Sequence, residues 1–194
     1  MKRLMIVSAA LAAFAAQAEL KLGTPFADGM VLQRGMNVPV WGWADAGEEV
    51  SVEFAGQKRT AKADATGKWR VDLAPLEASK ESRLFKVGIK NKDKVEVKDV
   101  LVGEVWYCCG QSNTEFPLVG GSPRFRDRQG AMVAQVTHRP FIRFAYCSNY
   151  KAAAAPKAKA DYPVAWKTFT PENLTSGKSF SAMGVYYALE LYAA

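Results

Sequence analysis

The stretch Val100-Leu101-Val102-Gly103-Glu104-Val105-Trp106-Tyr107-Cys108-Cys109-Gly110-Gln111-Ser112-Asn113 decides how this chain is read. It begins as a nearly unbroken apolar run, then turns polar around a glycine and sets a serine between two amides. A run without alternation is expected for a strand covered on both faces, as in a parallel sheet. A strand ending in a tight glycine-containing turn lifts the side chain at that turn above the sheet's carboxyl edge. The expectation is an α/β architecture beginning near residue 100, with Ser112 at its working edge. A serine hydroxyl alone is a poor nucleophile and needs a base and donors for the oxyanion. Gly110 lets the backbone bend, yet on the residues alone Gly-Gln-Ser-Asn also suits an ordinary structural turn.

Upstream, from about Glu19 to Asp99, the pattern has period two. Val50, Val52 and Phe54 alternate with polar neighbours, as do Trp69, Val71 and Leu73, and then Phe85, Val87 and Ile89. Such alternation means one buried face per strand. Ala46-Gly47, Ala55-Gly56, Thr66-Gly67 and Asn91-Lys92-Asp93 fall between these runs as turns. The reading is an all-β sandwich over 19–99. Trp41, Trp43 and Trp69 sit at strand positions where they either join the core or, if exposed on one face, stack on sugar rings. A non-catalytic sugar-binding or structural sandwich module is therefore the alternative function.

Downstream, Phe141 to Cys147 is a second apolar run, with a short helix expected between the two around Gln129 to Val136 as a crossover. Residues 151–160, KAAAAPKAKA, read as a low-complexity exposed loop, with Pro156 against a continuous helix. Ala182, Val185, Tyr186, Leu189 and Ala193 form a helical stripe, with Ser179 or Ser181 available as N-cap. Two strands and one helix are too few to cover a parallel sheet, so apolar surface should be exposed in this half.

The first residues carry an address. Lys2 and Arg3 precede an apolar stretch to Ala16, and Ala16-Gln17-Ala18 has the small-residue pattern of a cleavage site, so 1–18 reads as a signal peptide. The expectation is export to the periplasm or beyond, with no membrane span. The net charge is +7; taking Lys2 and Arg3 from the 26 basic residues, against 19 acidic ones, leaves +5. The lysines are scattered rather than clustered with stacking aromatics, which disfavours nucleic acid as a partner. Of three cysteines, Cys108 and Cys109 are too close to bridge each other, while Cys147 is placed either to meet one of them or to be a buried thiol. No cysteine or histidine spacing supports a metal site, and no cofactor is implied.

FADGMVLQRGMNVPVWGWADAGEEVSVEF, GKWRVDL, KDVLVGEVWYCCGQSNTEFPL and FSAMGVYYALELY together resemble the secreted sialate O-acetylesterase family of the SGNH (GDSL-like) hydrolases. The resemblance spans the chain after residue 18. It implies a sandwich followed by an α/β/α esterase domain, an O-acetylated sugar such as sialic acid as substrate, and Ser112 as the nucleophile. Gly110, Gln111 and Asn113 would support the turn, and the Ser112 N–H would be one oxyanion donor. Residues 100–194 are then the incomplete start of an SGNH-like, parallel-sheet hydrolase domain.

The chain departs from that pattern at Cys109 and Thr114, where the family has serine and methionine. A larger departure concerns the base. The family's histidine and aspartate lie late in the esterase domain, and no matching segment is present. The single histidine, His138, precedes a strand, so it is expected about 17–20 Å from Ser112, a strand length away. The expectation is a nucleophile without its base and negligible turnover by this polypeptide alone. Asn173-Leu174-Thr175 matches a glycosylation sequon, a tripeptide common by chance.

Overall fold

The structure is a computed structural model that describes residues 19–92, 94–110, 112–118, 139–146, 164–175 and 180–193. The leader expected at 1–18, Gln111, the helix expected at 129–136, His138, Cys147 and the loop expected at 151–160 lie outside them.

Eight strands come first: β1 (Lys21–Leu22), β2 (Val31–Gln33), β3 (Val38–Trp43), β4 (Glu49–Phe54), β5 (Gln57–Lys62), β6 (Lys68–Leu73), β7 (Ser79–Ile89) and β8 (Lys94–Gly103). They form a three-stranded sheet in the order β1-β3-β6 and a five-stranded sheet in the order β2-β8-β7-β4-β5. The alternation read from the sequence is what joins them. Val38, Val40, Trp69, Val71 and Leu73 of one sheet share a core with Val50, Val52, Phe54, Phe85, Val87 and Val100 of the other. Two sheets closing on one apolar layer make a sandwich.

The turns follow the sequence signals. Ala55 and Gly56 both have positive φ, at 47° and 77°, the geometry of a two-residue turn that suits the right-handed twist between β4 and β5. Asp64 builds another turn with its carboxylate, which accepts from Thr66 N and Oγ1, both at 2.7 Å, and from Lys68 N at 3.1 Å. This side chain replaces the missing backbone partners of the β5 to β6 loop.

The apolar run at 100–107 corrects the expectation drawn from it. β8 carries the chain past residue 100 without interruption and ends at Gly103. Val100 and Val102 belong to the sandwich core, and Leu101 between them is also buried. Beyond the strand, Val105, Trp106 and Tyr107 are 42%, 57% and 87% exposed. Among the described residues, the one parallel pairing is β2 with β8, and every other strand pair is antiparallel. The run is continuous because a sandwich strand is covered on both sides for three residues and then leaves the sheet.

A second, smaller core follows. It involves α1 (Ser112–Glu115), β9 (Arg143–Tyr146), β10 (Ala165–Thr168), α2 (Pro171–Thr175) and α3 (Ala182–Ala193). β9 and β10 pair antiparallel, so the second apolar run does not form the parallel crossover expected of it. Leu118, Ile142, Phe169, Leu174, Phe180 and Val185 are buried together. Ser181 caps α3 as expected, its Oγ accepting from Gly184 N at 3.2 Å. The helix buries Val185 and packs Ala182, Ala188 and Leu189, but Tyr186, read as part of the same stripe, is 52% exposed. Met183, Tyr187, Leu191 and Tyr192 are exposed as well, in line with the apolar surface expected of this half.

Candidate active site

The path from β8 to Ser112 is fixed at its start. Gln33 Oε1 accepts from Val105 N at 2.7 Å, and Gln33 Nε2 donates to Glu104 at 3.1 Å. Arg34 Nε donates to the other oxygen of Glu104 at 2.6 Å. Gln33 first, then Arg34, hold the Glu104 carboxyl below its usual range by stabilising the anion. The chain thus leaves the sandwich in a set direction.

It arrives at α1 beside α3. Trp106 meets Tyr187 edge to face with ring centroids 5.3 Å apart. A Cβ added at Gly184 would touch Cys108 Sγ at 3.8 Å, so the helix offers that thiol a side-chain-free spot. After α1, Leu118 N donates to Phe180 O at 2.8 Å and Ala182 N to Phe116 O at 2.9 Å, a short bridge that ties the turn to the cap of α3. Leu118 then enters the second core.

Ser112 is the first residue of α1 and is exposed to solvent. Eight residues of non-strand chain separate it from Gly103, so the serine is held by the bridge to α3 rather than by a strand end directly. A Cβ at Gly110 would overlap Thr114 Oγ1, so a larger residue there obliges the threonine side chain to turn aside. Asn113 lies in the same helical turn. Cys108 and Cys109 are free, exposed thiols. Among the described residues no group of acidic, histidine or cysteine side chains is arranged to hold a metal ion.

The remaining candidates fall elsewhere. Trp69 is 3% exposed in the sandwich core, so it is no sugar platform. Trp41 and Trp43 are half-buried on the opposite face of β3, and Trp41 packs edge-on to Phe26 at 4.8 Å. Asn173 is the third residue of α2, where its backbone N–H donates to Thr170 Oγ1 at 3.2 Å and its side-chain amide to Thr168 O at 2.9 Å. The sequon occupies the last three residues of that helix. No described helix is long and apolar enough to cross a membrane.

What the described residues define is a β-sandwich followed by a small mixed unit that presents a solvent-facing serine on a braced turn. Among solved structures, the chain is similar to a carbohydrate acetylesterase from Xanthomonas citri, with 35% sequence identity, a TM-score of 0.77, and coverage of 90% of this chain and 37% of that one. The chain thus spans little more than a third of that esterase's length. A structure described as that of a protease aligns over 42% of this chain and 18% of its own, at 17% identity and a TM-score of 0.28, too weak a likeness to bear on fold or function. No protein-family profile and no curated protein matches the chain.

Proposed function

We propose that this chain carries the nucleophile of an exported carbohydrate O-acetylesterase of the sialate O-acetylesterase type, and that Ser112 is that nucleophile. The observation that carries the reading is the 35% identity to a carbohydrate acetylesterase, sustained over 90% of this chain. The exposure of Ser112 on a turn where Gly110 leaves room for the Thr114 side chain is consistent with it. On this reading the sandwich, which β8 carries to Gly103, is followed by the start of an SGNH-like hydrolase domain, and the leader at 1–18 exports both.

The chemistry is acyl transfer in two halves. The Ser112 hydroxyl loses its proton to a general base as Oγ attacks the acetyl carbonyl, and the sugar alcohol leaves with a proton. Water then attacks the acetyl-serine, releasing acetate and restoring the hydroxyl. The Ser112 backbone N–H is one donor to the oxyanion. Gln111 and Asn113 flank the nucleophile in the sequence. The base this chemistry requires is a histidine held by a carboxylate, which the resemblance places late in the esterase domain.

The test is to exchange the aligned segment of the Xanthomonas esterase for this chain and to assay acetate release from O-acetylated sialic acid and from an aryl acetate. The expected result is hydrolysis of both that falls about 10³-fold or more in Ser112→Ala. Undiminished release by that variant overturns the assignment. Cleavage of the aryl acetate with none of the sialic ester retains the serine and discards the sialate specificity.

A further inference from the structure

The outer face of the five-stranded sheet holds a depression of 720 Å³, and none of the residues that line it belongs to the 104–118 segment. Its origin is in the strand register. Across β5, β4, β7 and β8 one row of outward residues reads Lys58, Glu53, Lys86, Glu96, and the next reads Thr60, Ser51, Gly88, Lys94. Gly88 has no side chain, and Ser51 and Thr60 carry only short hydroxyls, so the second row is a low floor beside a tall charged wall. Ser51 Oγ donates to Gly88 O at 3.1 Å, which spends its proton and leaves its lone pairs for a ligand donor.

The lining is cationic, with Lys58, Lys86, Lys90, Lys92 and Lys94 against Glu49 and Glu53. Three of these lysines are committed: Lys58 to Glu53 at 2.7 Å, Lys92 to Glu48 and Lys94 to Glu96. Lys86 and Lys90 make no salt bridge among the described residues. They flank Gly88 two residues away on either side, and so stand at the two ends of its gap. The hydrogen bonds from Lys58 to Glu53 and from Lys94 to Glu96 hold both carboxyls below their usual range, with Lys86 adding to each. The face therefore keeps one charge pattern through neutral and mildly acidic pH.

Among the described residues no aromatic side chain lines the trough. A nucleobase or a neutral sugar ring finds no stacking surface there. What the walls and floor offer is ammonium groups for carboxylates and hydroxyls and an amide for hydroxyls. We propose that this trough binds a carboxylate-bearing oligosaccharide, with Lys86 and Lys90 meeting its carboxylates and Ser51, Thr60 and Asn91 its hydroxyls. The choice of a sugar over other polyanions rests on the proposed esterase reading. The site itself does not use Ser112, so it would hold a glycan chain apart from the point of cleavage.

The test is titration of the whole chain with short oligogalacturonate and oligosialic acid, with neutral malto-oligosaccharide, dextran sulfate (sulfated, without carboxylates) and single-stranded DNA as comparisons. Binding of the two carboxylated sugars, absent with the neutral one and weakened at least about tenfold in Lys86→Gln/Lys90→Gln, is expected; tenfold corresponds to losing roughly one charge-assisted hydrogen bond. Gly88→Leu fills the floor without changing charge and should weaken binding similarly, with an unchanged unfolding midpoint confirming the fold. Equal or tighter binding of dextran sulfate or DNA, or indifference to either variant, overturns the proposal. Ser112→Ala should bind as the parent does, so a failed esterase assay and a failed glycan titration remain separate results.

Discussion

Arg143 of β9 reaches across to Asp99 of β8 with both arms of its guanidinium, Nη1 to Oδ2 at 2.6 Å and Nη2 to Oδ1 at 3.2 Å. The Arg143 side chain is 8% exposed and that of Asp99 46%, so a nearly buried cation is answered by a carboxylate that still sees water. Asp99 takes a positive φ of 57°. Trp166 of β10 adds a second tie, its Nε1 donating to Pro25 O at 2.8 Å, and packs on the sandwich core. These contacts join the unit that presents Ser112 to the sandwich.

Removing the carboxylate leaves the Arg143 charge buried without its partner. Asp99→Asn should cost about 1–2 kcal/mol at pH 7, less than a fully buried pair would because water screens the exposed side of Asp99. The pair also sets a pH dependence. The Asp99 carboxyl is held below its usual range, first by the hydrogen bond from Arg143 and next by one from Ser82. Its contribution is therefore full above the unfolded value of about 3.9 and is lost as pH falls through the lower folded value. Urea unfolding of parent and variant should differ at pH 7 and converge near pH 2. Curves that stay equally far apart at both pH values would contradict the pairing.

The sandwich core has a keystone. Phe85 is fully buried, with Phe54 at 5.6 Å and Phe26 at 6.3 Å between ring centroids. Phe85→Ala removes a ring that Phe54 and Phe26 cannot replace, and should cost about 3–5 kcal/mol. A loss below about 1 kcal/mol in denaturant unfolding would mean that this ring is not part of a close-packed core.

At the serine turn the sensitive position is Gly110. Gly110→Ala forces the turn against Thr114 Oγ1 and should lower serine-dependent acetate release by about 10²-fold, since a displacement near 1 Å has that effect on an aligned reaction. The unfolding midpoint should be unchanged. Thr114→Ala in the same background removes the offending oxygen and should restore part of the rate, a coupling that distant sites do not show. Additive losses in the double variant would argue that the two residues do not touch.

Much of the sandwich was legible because its signal is local. Alternation at 50–54, 69–73 and 85–89, with glycines at the turns, is read one strand at a time. β5, Gln57–Lys62, has almost no apolar residue and gave no such signal; it is an edge strand ordered by its hydrogen bonds to β4, and its lysines and arginine suit an edge that must not pair further. The first half of β7 is hidden for a related reason, because Lys80, Glu81 and Ser82 extend beyond the covered part of the strand.

The error at 100–107 came from a run whose composition is uniform while its environment is not. Val100 to Val102 are buried, whereas Trp106 and Tyr107 leave the sheet, and no periodicity distinguishes the two halves. Ser112 stood out in the sequence as a polar residue in a glycine turn. Its brace could not be read there, since the pairing of Phe116 to Leu118 with Phe180 to Ala182 joins segments far apart in the chain.

The most direct test of the central claim is to find the acetyl group on the protein. In the esterase carrying this chain's residues, rapid mixing with an aryl acetate, acid quenching and peptide mapping by mass spectrometry should place acetyl on the oxygen of Ser112, and Ser112→Ala should abolish the adduct. Acetyl found on Cys109 instead, or steady turnover with no adduct at Ser112, would contradict it.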